Sequence, residues 1–374
     1  MVFAVALIAA SINAWPIYQM LIASKSRQTV SQYAPETHKQ KQGTPTMGGL
    51  IVAVGFLAGA LPAMIASTFG KLGTNSPKSL AIIGLFAGFA AIGFIDDFVV
   101  PRYMTGKRGL GWKQKILMQL VVAGLCSWVL CDGFTSVMAA AVFLILFFSN
   151  AYNFSDGLDS LASLLLLALG AGLLLIAHML GAVNLEPVLV ALLGAILPFL
   201  YLNKPRAKVF MGYVGSLPIG AIVGVSVAAI AFPNDFDYLY TRPMISTLDL
   251  PPAYYRPELG FLAYFGLFVI SGMMIVELVP VPLQILSVKL RKKRLFSFTP
   301  IHHAFERKGW TETKVVGAFF GCQLAMTLIA IALIHSSPKS DFIIRTSLNQ
   351  GKPGVRWHEA QKPDIDLPFT GAKP

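Results

Sequence analysis

Two adjacent acidic residues follow an apolar stretch of the chain. Asp96 and Asp97 come directly after residues 92–95, which read Ile-Gly-Phe-Ile. The C-terminal end of a helix carries partial negative charge, so acids there are unfavourable unless a cation or a function compensates. The pair therefore indicates a site that holds Mg²⁺ or orients a phosphate nucleophile. The alternative is a solvated helix end neutralised by Arg102 or Lys107.

A second acidic segment lies at residues 150–159, which read Asn-Ala-Tyr-Asn-Phe-Ser-Asp-Gly-Leu-Asp. Two Asn, one Ser and two Asp occur here without a Lys or Arg nearby. Oxygen ligands at this density suit a hard cation and the hydroxyls of a sugar or ribose. An ordinary polar loop is the alternative interpretation.

Basic and small residues precede another apolar stretch. Lys39, Lys41 and Thr46 lead into Gly48-Gly49, where the next predicted helix begins. Cations, hydroxyls and exposed backbone N–H groups at a helix start can bind an anion. The two glycines could equally serve close packing between helices.

Two adjacent histidines and one acid within an apolar run are further candidates later in the chain. Adjacent His302 and His303 cannot face the same way along a helix, so a metal site made of both histidines is not expected. We expect instead that a histidine N–H donates a hydrogen bond to a diphosphate oxygen. A neutral structural pair is the alternative. Glu277 lies within an apolar run and should face the protein interior with a partner. Pro280 and Pro282 should break its helix.

The elements that must position these residues are membrane helices. The chain has 374 residues, of which 55% are apolar and 13% are charged, against about 25% charged in a soluble domain. Repeated apolar runs approach the ~20 residues that a spanning helix needs. They predict an all-α polytopic membrane protein with spans at 2–23, 47–69, 79–95, 116–130, 137–150, 158–180, 187–202, 214–232, 259–286 and 315–334. A re-entrant hairpin is an alternative for the fourth and fifth spans.

The basic residues indicate how these spans are oriented. Loops on the side of the acidic motifs hold 20 Lys and Arg, whereas loops on the other side hold 4. Because cytoplasmic loops are enriched in Lys and Arg, the motifs should lie at the cytoplasmic face and both termini outside. The net charge of +12 thus reflects topology and does not indicate nucleic acid. We expect one transmembrane domain at 1–335 and a flexible polar extracytoplasmic tail at 336–374.

Five motifs in order resemble a known enzyme family. They are Gly-Thr-Pro-Thr-Met-Gly-Gly at 43–49, Asp-Asp at 96–97, Asn-Phe-Ser-Asp-Gly-Leu-Asp at 153–159, Phe-Met-Gly with Val-Gly-Ser at 210–216, and Pro-Ile-His-His at 300–303. Together they resemble the polyprenyl-phosphate N-acetylhexosamine-1-phosphate transferases. The first and last motifs favour the phospho-N-acetylmuramoyl-pentapeptide transferase branch.

The resemblance implies a reaction and its participants. Phospho-MurNAc-pentapeptide would pass from UDP-MurNAc-pentapeptide to undecaprenyl phosphate, giving lipid I and UMP with Mg²⁺ in peptidoglycan synthesis. The protein would be a multi-pass protein of the bacterial inner membrane, with the lipid bilayer and a second copy of the chain as further expected partners. Because a lipid phosphate is already largely ionised at neutral pH, positioning and charge neutralisation should matter more than a general base.

The resemblance also assigns residues by matching position. Asp96, Asp97 and His302 would be catalytic, with Asn153 and Asp97 at the metal. The substrate pocket would be lined by Lys41, Thr46, Asn153, Asp156, Gly157, Leu158, Asp159, Phe210 and His303.

Two positions depart from the family pattern. Tyr213 stands where the family has a metal-binding Asp, and Ala304 replaces a third histidine. A phenol with a pKa of about 10 is a poor ligand for a hard cation, so Mg²⁺ binding should be weakened. A catalytically impaired homologue that retains ligand binding is one alternative function, and a transferase for another UDP-N-acetylhexosamine is a second. A transporter is less favoured because charged groups are scarce within the predicted spans.

Overall fold

The computed structural model describes residues 1–24, 43–69, 78–104, 109–236, 239 and 259–337. The regular structure of these ranges is helical throughout. The helices are α1 (Val2–Ala23), α2 (Gly49–Phe69), α3 (Lys78–Phe94), a π-helical turn (Ile95–Val99), α4 (Val100–Tyr103), α5 (Trp112–Leu130), α6 (Ser136–Ser155), α7 (Leu161–Leu180), α8 (Glu186–Asn203), α9 (Tyr213–Ala231), α10 (Phe261–Ile270), α11 (Gly272–Leu278), α12 (Pro280–Arg291), α13 (Ile301–Arg307) and α14 (Glu312–His335).

Ten helical segments within the described ranges are long and apolar enough to cross a membrane, as the sequence predicts. The fourth and fifth are α5 and α6, with 19 and 20 residues. Each is close to the ~20 residues that span the hydrocarbon core. The fourth and fifth spans are therefore two complete helices, and the alternative of a re-entrant hairpin is not found. The predicted tail, 336–374, lies almost wholly outside the described residues.

The third spanning segment differs from the sequence-based expectation at its acidic end. Asp96 and Asp97 do not terminate a helix, because they lie in the π-helical turn and the segment continues to Tyr103. Pro101 lies close to the C-terminal end of this continuous segment, within α4. The expectation of a helix end is wrong, and the acids lie in a locally widened turn, a feature frequent at functional sites.

The ninth predicted span is divided into α10, α11 and α12. The helix is interrupted at Ser271 and again at Val279, directly before Pro280. Val279 keeps helical torsion angles and Gly272–Arg291 is one segment long enough to span a membrane, so the expected break at the prolines is only a local interruption. The ninth spanning segment therefore lies later than the predicted 259–286, and α10 is a separate, shorter apolar helix. α12 has an exposed apolar surface that includes Leu286 and Leu290, and only Pro280 is buried. Its last turn is basic, which favours the negative C-terminal end of a helix.

α9 lies at the centre of the helical body. Every residue from Val214 to Ala231 is buried, and the helix packs against α6, α3 and α2. A helix apolar on all sides has no solvent-facing stripe, so central burial is what its composition predicts. Its first residue, Tyr213, is only partly buried and marks the end of the helix that reaches the acidic motifs.

Backbone hydrogen bonds join the start of α2 to the segment before α9. The Phe210 N–H donates to the Pro45 oxygen at 2.9 Å, and the Gly48 and Gly49 N–H groups donate to the oxygens of Phe210 and Met211 at 2.8 and 2.9 Å. Two stretches that are more than 160 residues apart in sequence thus become neighbours. This pairing brings Thr46 to the position where α9 begins.

Candidate active site

The acidic motifs converge where four elements meet at one end of the helical body. These elements are the π-helical turn, the end of α6 with the turn that follows it, the start of α9, and α13. Their sequence separation is large, yet hydrogen bonds and close contacts join each to the next, as the following paragraphs describe. The sequence-predicted motifs at 43–49, 96–97, 153–159, 210–216 and 300–303 therefore form a single site.

Asp97 is held against the start of α9. The Val214 N–H donates to Asp97 Oδ2 at 3.0 Å, and the residue as a whole is partly exposed. Gly212 has φ +73°, and a Cβ there would lie 2.6 Å from Asp97 Oδ2 and 2.9 Å from Thr46 Oγ1. Glycine is required on both counts, because it accepts the left-handed conformation and leaves space between the two side chains.

Asn153 and Asp156 are linked to the same glycine, Asn153 through Ser216 and Asp156 through the Gly212 N–H. The Ser216 hydroxyl is 2.8 Å from Asn153 Oδ1 and 3.0 Å from the Gly212 oxygen, so its one proton is shared between two acceptors. Burial among protein atoms and the nearby Asp97 carboxylate raise the pKa of Asp156 well above its usual range, whereas the Gly212 N–H hydrogen bond opposes that rise. Some of the Asp156 surface is nevertheless exposed.

Asp96 points away from this cluster and pairs with Lys115 on α5. Lys115 Nζ lies 2.9 Å from Asp96 Oδ2, and the Leu110 N–H donates to Oδ1 at 2.6 Å. Both carboxylate oxygens are thus occupied, and the side chain is only 4% exposed. The cation predicted to neutralise the acids is different in the structure: Arg102 lies over the Phe98 ring instead.

The ring of Tyr213 contacts the same lysine. Lys115 Nζ lies 3.4 Å from the centroid of the Tyr213 ring, a close cation–π contact. The residue that replaces the family's Asp therefore packs on a cation. The Lys107 alternative lies outside the described residues, as does Lys41 of the predicted pocket.

His302 is buried beneath the acidic turn. Its Nδ1 faces Glu277 Oε2 at 2.8 Å, and neither side chain has any exposed surface. The contact is one hydrogen bond between the imidazole and the carboxyl group, with one proton between the two atoms. This confirms the expectation that Glu277 faces the interior with a partner.

Gly157 packs directly against the rings of both histidines. A Cβ on Gly157 would overlap His302 Nε2 and would lie 3.3 Å from His303 Nε2. Within the described residues, His302 Nε2 and Glu277 Oε1 are buried without a hydrogen-bond partner. His303 is partly exposed and pairs through Nδ1 with Glu306 Oε2 at 2.6 Å. The His302 ring is completely buried, so of the two histidines only His303 can contact a soluble substrate in this conformation.

The last predicted pocket residues have structural contacts of their own. Asp159 is buried, and its Oδ2 accepts a hydrogen bond from the Ala207 N–H at 3.0 Å. Leu158 belongs to the apolar core, while Phe210 is partly exposed beside Thr46. Asp159 thus fixes the loop that precedes α9 and acts on the site by shaping it.

Asp97 and Asp156 form the donor set that suits a divalent cation. Both residues are partly exposed although their carboxyl groups lie among protein atoms, the two acids repel each other, and Lys115 is already paired with Asp96. The described residues contain no cluster of three or more His, Cys, Asp or Glu that could enclose a metal. Mg²⁺ is normally bound by one or two carboxylates together with waters and substrate phosphates, so two acids fit it.

Comparison with known proteins identifies relatives over most of the chain. Residues 79–231 match the model described as glycosyl transferase family 4, and residues 41–51 match phospho-N-acetylmuramoyl-pentapeptide-transferase signature 1. The phospho-N-acetylmuramoyl-pentapeptide-transferase of Clostridium perfringens strain SM101 is 31% identical, covering 89% of this chain and 95% of its own length. The enzyme of that name from Nautilia profundicola is 34% identical (83% and 87%), and that from Staphylococcus epidermidis is 31% identical (88% and 98%).

Proposed function

Because the chain belongs to the phospho-N-acetylmuramoyl-pentapeptide-transferase family, we propose that it transfers phospho-MurNAc-pentapeptide from UDP-MurNAc-pentapeptide to undecaprenyl phosphate. The products are lipid I, a precursor in peptidoglycan synthesis, and UMP. The observation that carries the proposal is the convergence of Asp97, Asn153 and Asp156 around Gly212. Such a cluster suits a diphosphate and its cation.

The bond changes define what the site must do. An oxygen of the lipid phosphate forms a bond to the phosphorus that carries MurNAc. The bond from that phosphorus to the oxygen shared with the uridylyl phosphate breaks, and UMP leaves with the bridging oxygen. The lipid phosphate is already an anion, so catalysis rests on placing two anions together and on neutralising their charge.

Asp97, Asp156 and Asn153 are the residues that would hold Mg²⁺, since carboxylate and amide oxygens are the ligands that it prefers. When bound, the ion would screen the charge of the diphosphate and of the leaving UMP. Asp97 is the partly exposed member of the acid pair and is held by the Val214 N–H, so it is the carboxylate that faces the reacting phosphates. Asp96 acts through Lys115, which it holds at 2.9 Å.

The remaining predicted residues have roles that their contacts support. Thr46 stands beside Gly212 and contacts the diphosphate, together with Lys41 from the preceding segment. His303 contacts the donor from its partly exposed position, whereas His302 acts by supporting the turn at Gly157. Leu158, Asp159 and Phe210 shape the pocket.

We place the reaction at the cytoplasmic face of the bacterial inner membrane. The excess of Lys and Arg in loops on the motif side supports this orientation, with both termini outside. Residues 1–335 form the transferase domain and 336–374 an outer tail. A pair of chains is the expected assembly.

The proposal is tested by release of UMP from purified protein in lipid nanodiscs. Undecaprenyl phosphate is supplied with UDP-MurNAc-pentapeptide, UDP-GlcNAc or UDP-GalNAc, each with Mg²⁺ and with EDTA. We expect Mg²⁺-dependent release with the MurNAc-pentapeptide donor alone, and its loss in Asp97→Asn. Release with another donor alone would assign the chain to a different transferase. No release with any donor, from protein that still binds UDP-MurNAc-pentapeptide, would identify the impaired homologue.

A further inference from the structure

The replacement of the family's Asp by Tyr213 coincides with an unusual arrangement of Lys115. The ammonium lies between two partners, the Asp96 carboxylate at 2.9 Å and the Tyr213 ring centroid at 3.4 Å. These partners come from the π-helical turn and from the start of α9, whereas the lysine comes from α5. Three separate elements therefore determine where one cation lies.

The two contacts leave part of the ammonium available. An ammonium has three N–H donors, and the ring attracts the charge through its π face without accepting a conventional hydrogen bond. The Lys115 side chain is 14% exposed, whereas its neighbour Asp96 is almost completely covered. Within the described residues the ammonium donates a hydrogen bond to Asp96 alone, so its other N–H donors can bind an anionic oxygen.

An aromatic residue at position 213 has a different effect from a carboxylate there. A third acid beside Asp96 and Asp97 would add negative charge and would compete with Asp96 for the lysine. A ring attracts the ammonium by about 0.5–2 kcal/mol without adding a charge. Tyr213 thus fixes the lysine while leaving its positive charge less neutralised.

We infer that Tyr213 is a positioning residue that, together with Asp96, holds the Lys115 ammonium ready to bind an anionic phosphate oxygen of the substrate. This inference rests on the proposed function for the identity of the phosphate. It gives the substituted position a role in the reaction that requires the ring and not the hydroxyl group.

The kinetic test compares Tyr213→Phe with Tyr213→Leu, since both remove the hydroxyl and only one keeps the ring. An attraction of 0.5–2 kcal/mol corresponds to about 2- to 30-fold in rate or affinity. We expect Tyr213→Leu to lower kcat/KM for the phosphate substrate by about tenfold and Tyr213→Phe to retain it within about twofold. Equal losses in both variants would overturn the inference, because the hydroxyl would then be the essential group.

A second measurement needs neither turnover nor metal. Competitive acylation of lysines in EDTA, followed by peptide mass spectrometry, reports the reactivity of Lys115 relative to Lys113, an exposed neighbour on the same helix. We expect the ratio to rise severalfold in Tyr213→Leu and in Asp96→Asn, and to stay unchanged in Tyr213→Phe. An unchanged ratio in Tyr213→Leu would refute the positioning role.

The two measurements also separate this inference from the proposed function. In one outcome no donor supports turnover, but the acylation ratio rises in Tyr213→Leu and not in Tyr213→Phe. The transferase assignment then fails while the positioning of Lys115 stands. In the other outcome turnover is normal, but the acylation ratio is the same in both variants. The transferase assignment then stands and the role of Tyr213 is refuted.

Discussion

Removing the carboxylate of Glu277 should destabilise the protein strongly. Glu277 and His302 are completely buried, and their 2.8 Å hydrogen bond joins α11 to α13. Truncation of one partner in a buried ion pair or strong hydrogen bond typically costs about 3–5 kcal/mol, because the other partner is left without compensation. Glu277→Gln keeps an oxygen that can accept from His302 Nδ1, so its cost should be about 1–2 kcal/mol.

The assay is the free energy of unfolding in mixed micelles titrated with SDS, together with UMP release. Ser163→Ala is the matched control, since Ser163 is a buried α7 residue whose hydroxyl has no partner among the described residues. We expect Glu277→Ala to lose about 3 kcal/mol or more, Glu277→Gln an intermediate amount, and Ser163→Ala less than about 1 kcal/mol.

Activity gives an independent check of the same pair. His302 lies directly beneath Gly157, so a loosened histidine should disturb the turn that carries Asp156. Turnover should therefore fall further in Glu277→Ala than in Glu277→Gln, even at temperatures where both variants are folded. A free energy of unfolding for Glu277→Ala within 1 kcal/mol of the Ser163→Ala control would show that the pair contributes nothing, and our account of α13 would be wrong.

Three further predictions address the metal, the acid pair and the topology. Asp97→Asn should lower turnover by about 10²-fold or more without loss of folding, measured by UMP release and near-UV circular dichroism; unchanged turnover would remove Asp97 from the reaction. Tyr213→Asp should lower the Mg²⁺ concentration for half-maximal binding or rate, because a carboxylate replaces a phenol; an unchanged requirement would show that Asp97 and Asp156 suffice. In a cysteine-free background, Arg206→Cys should react with an impermeant thiol reagent only from the cytoplasm and Phe134→Cys only from outside; labelling of both from one side would contradict the ten-span topology.

The spans and their number follow from the sequence because apolar length is a local property. Ten runs near 20 residues suffice to identify ten helices, whatever their packing. Helix ends were less accessible: the segment from Lys78 continues past Asp96 because it widens into a π-helical turn. Two adjacent acids end the apolar run there, but the helical segment continues because tertiary contacts with Leu110 and Lys115 compensate Asp96.

The partners of the site residues could be predicted only in part. Glu277 was expected to have a partner because an acid within an apolar run is costly when unpaired. Its identity, His302, depends on how α13 folds back beneath the acidic turn. The pairing of Lys115 with Asp96 cannot be predicted from local sequence, since 19 residues separate the two. The sequence feature that points to this pairing is the position of Lys115 at the end of a basic loop that directly follows the acid pair.

The roles of neighbouring acids also required the structure. Asp96 and Asp97 are adjacent and look equivalent in the sequence, yet one is buried on a lysine and the other faces the site. Asp156 and Asp159 divide in the same way, because Asp159 holds the Ala207 N–H. Side-chain direction in a widened turn or a tight loop has no simple period, so a sequence pattern cannot assign it.

The most direct test of the central claim is to detect the lipid product itself. Purified protein in nanodiscs would receive undecaprenyl phosphate carrying ¹⁸O in its phosphate, together with UDP-MurNAc-pentapeptide and Mg²⁺, and the lipid fraction would be analysed by mass spectrometry. We predict undecaprenyl diphosphate-linked MurNAc-pentapeptide that retains the label, in equal amount to unlabelled UMP. UMP released without a labelled lipid product, or no product from protein that is folded and supplied with both substrates, would contradict the account.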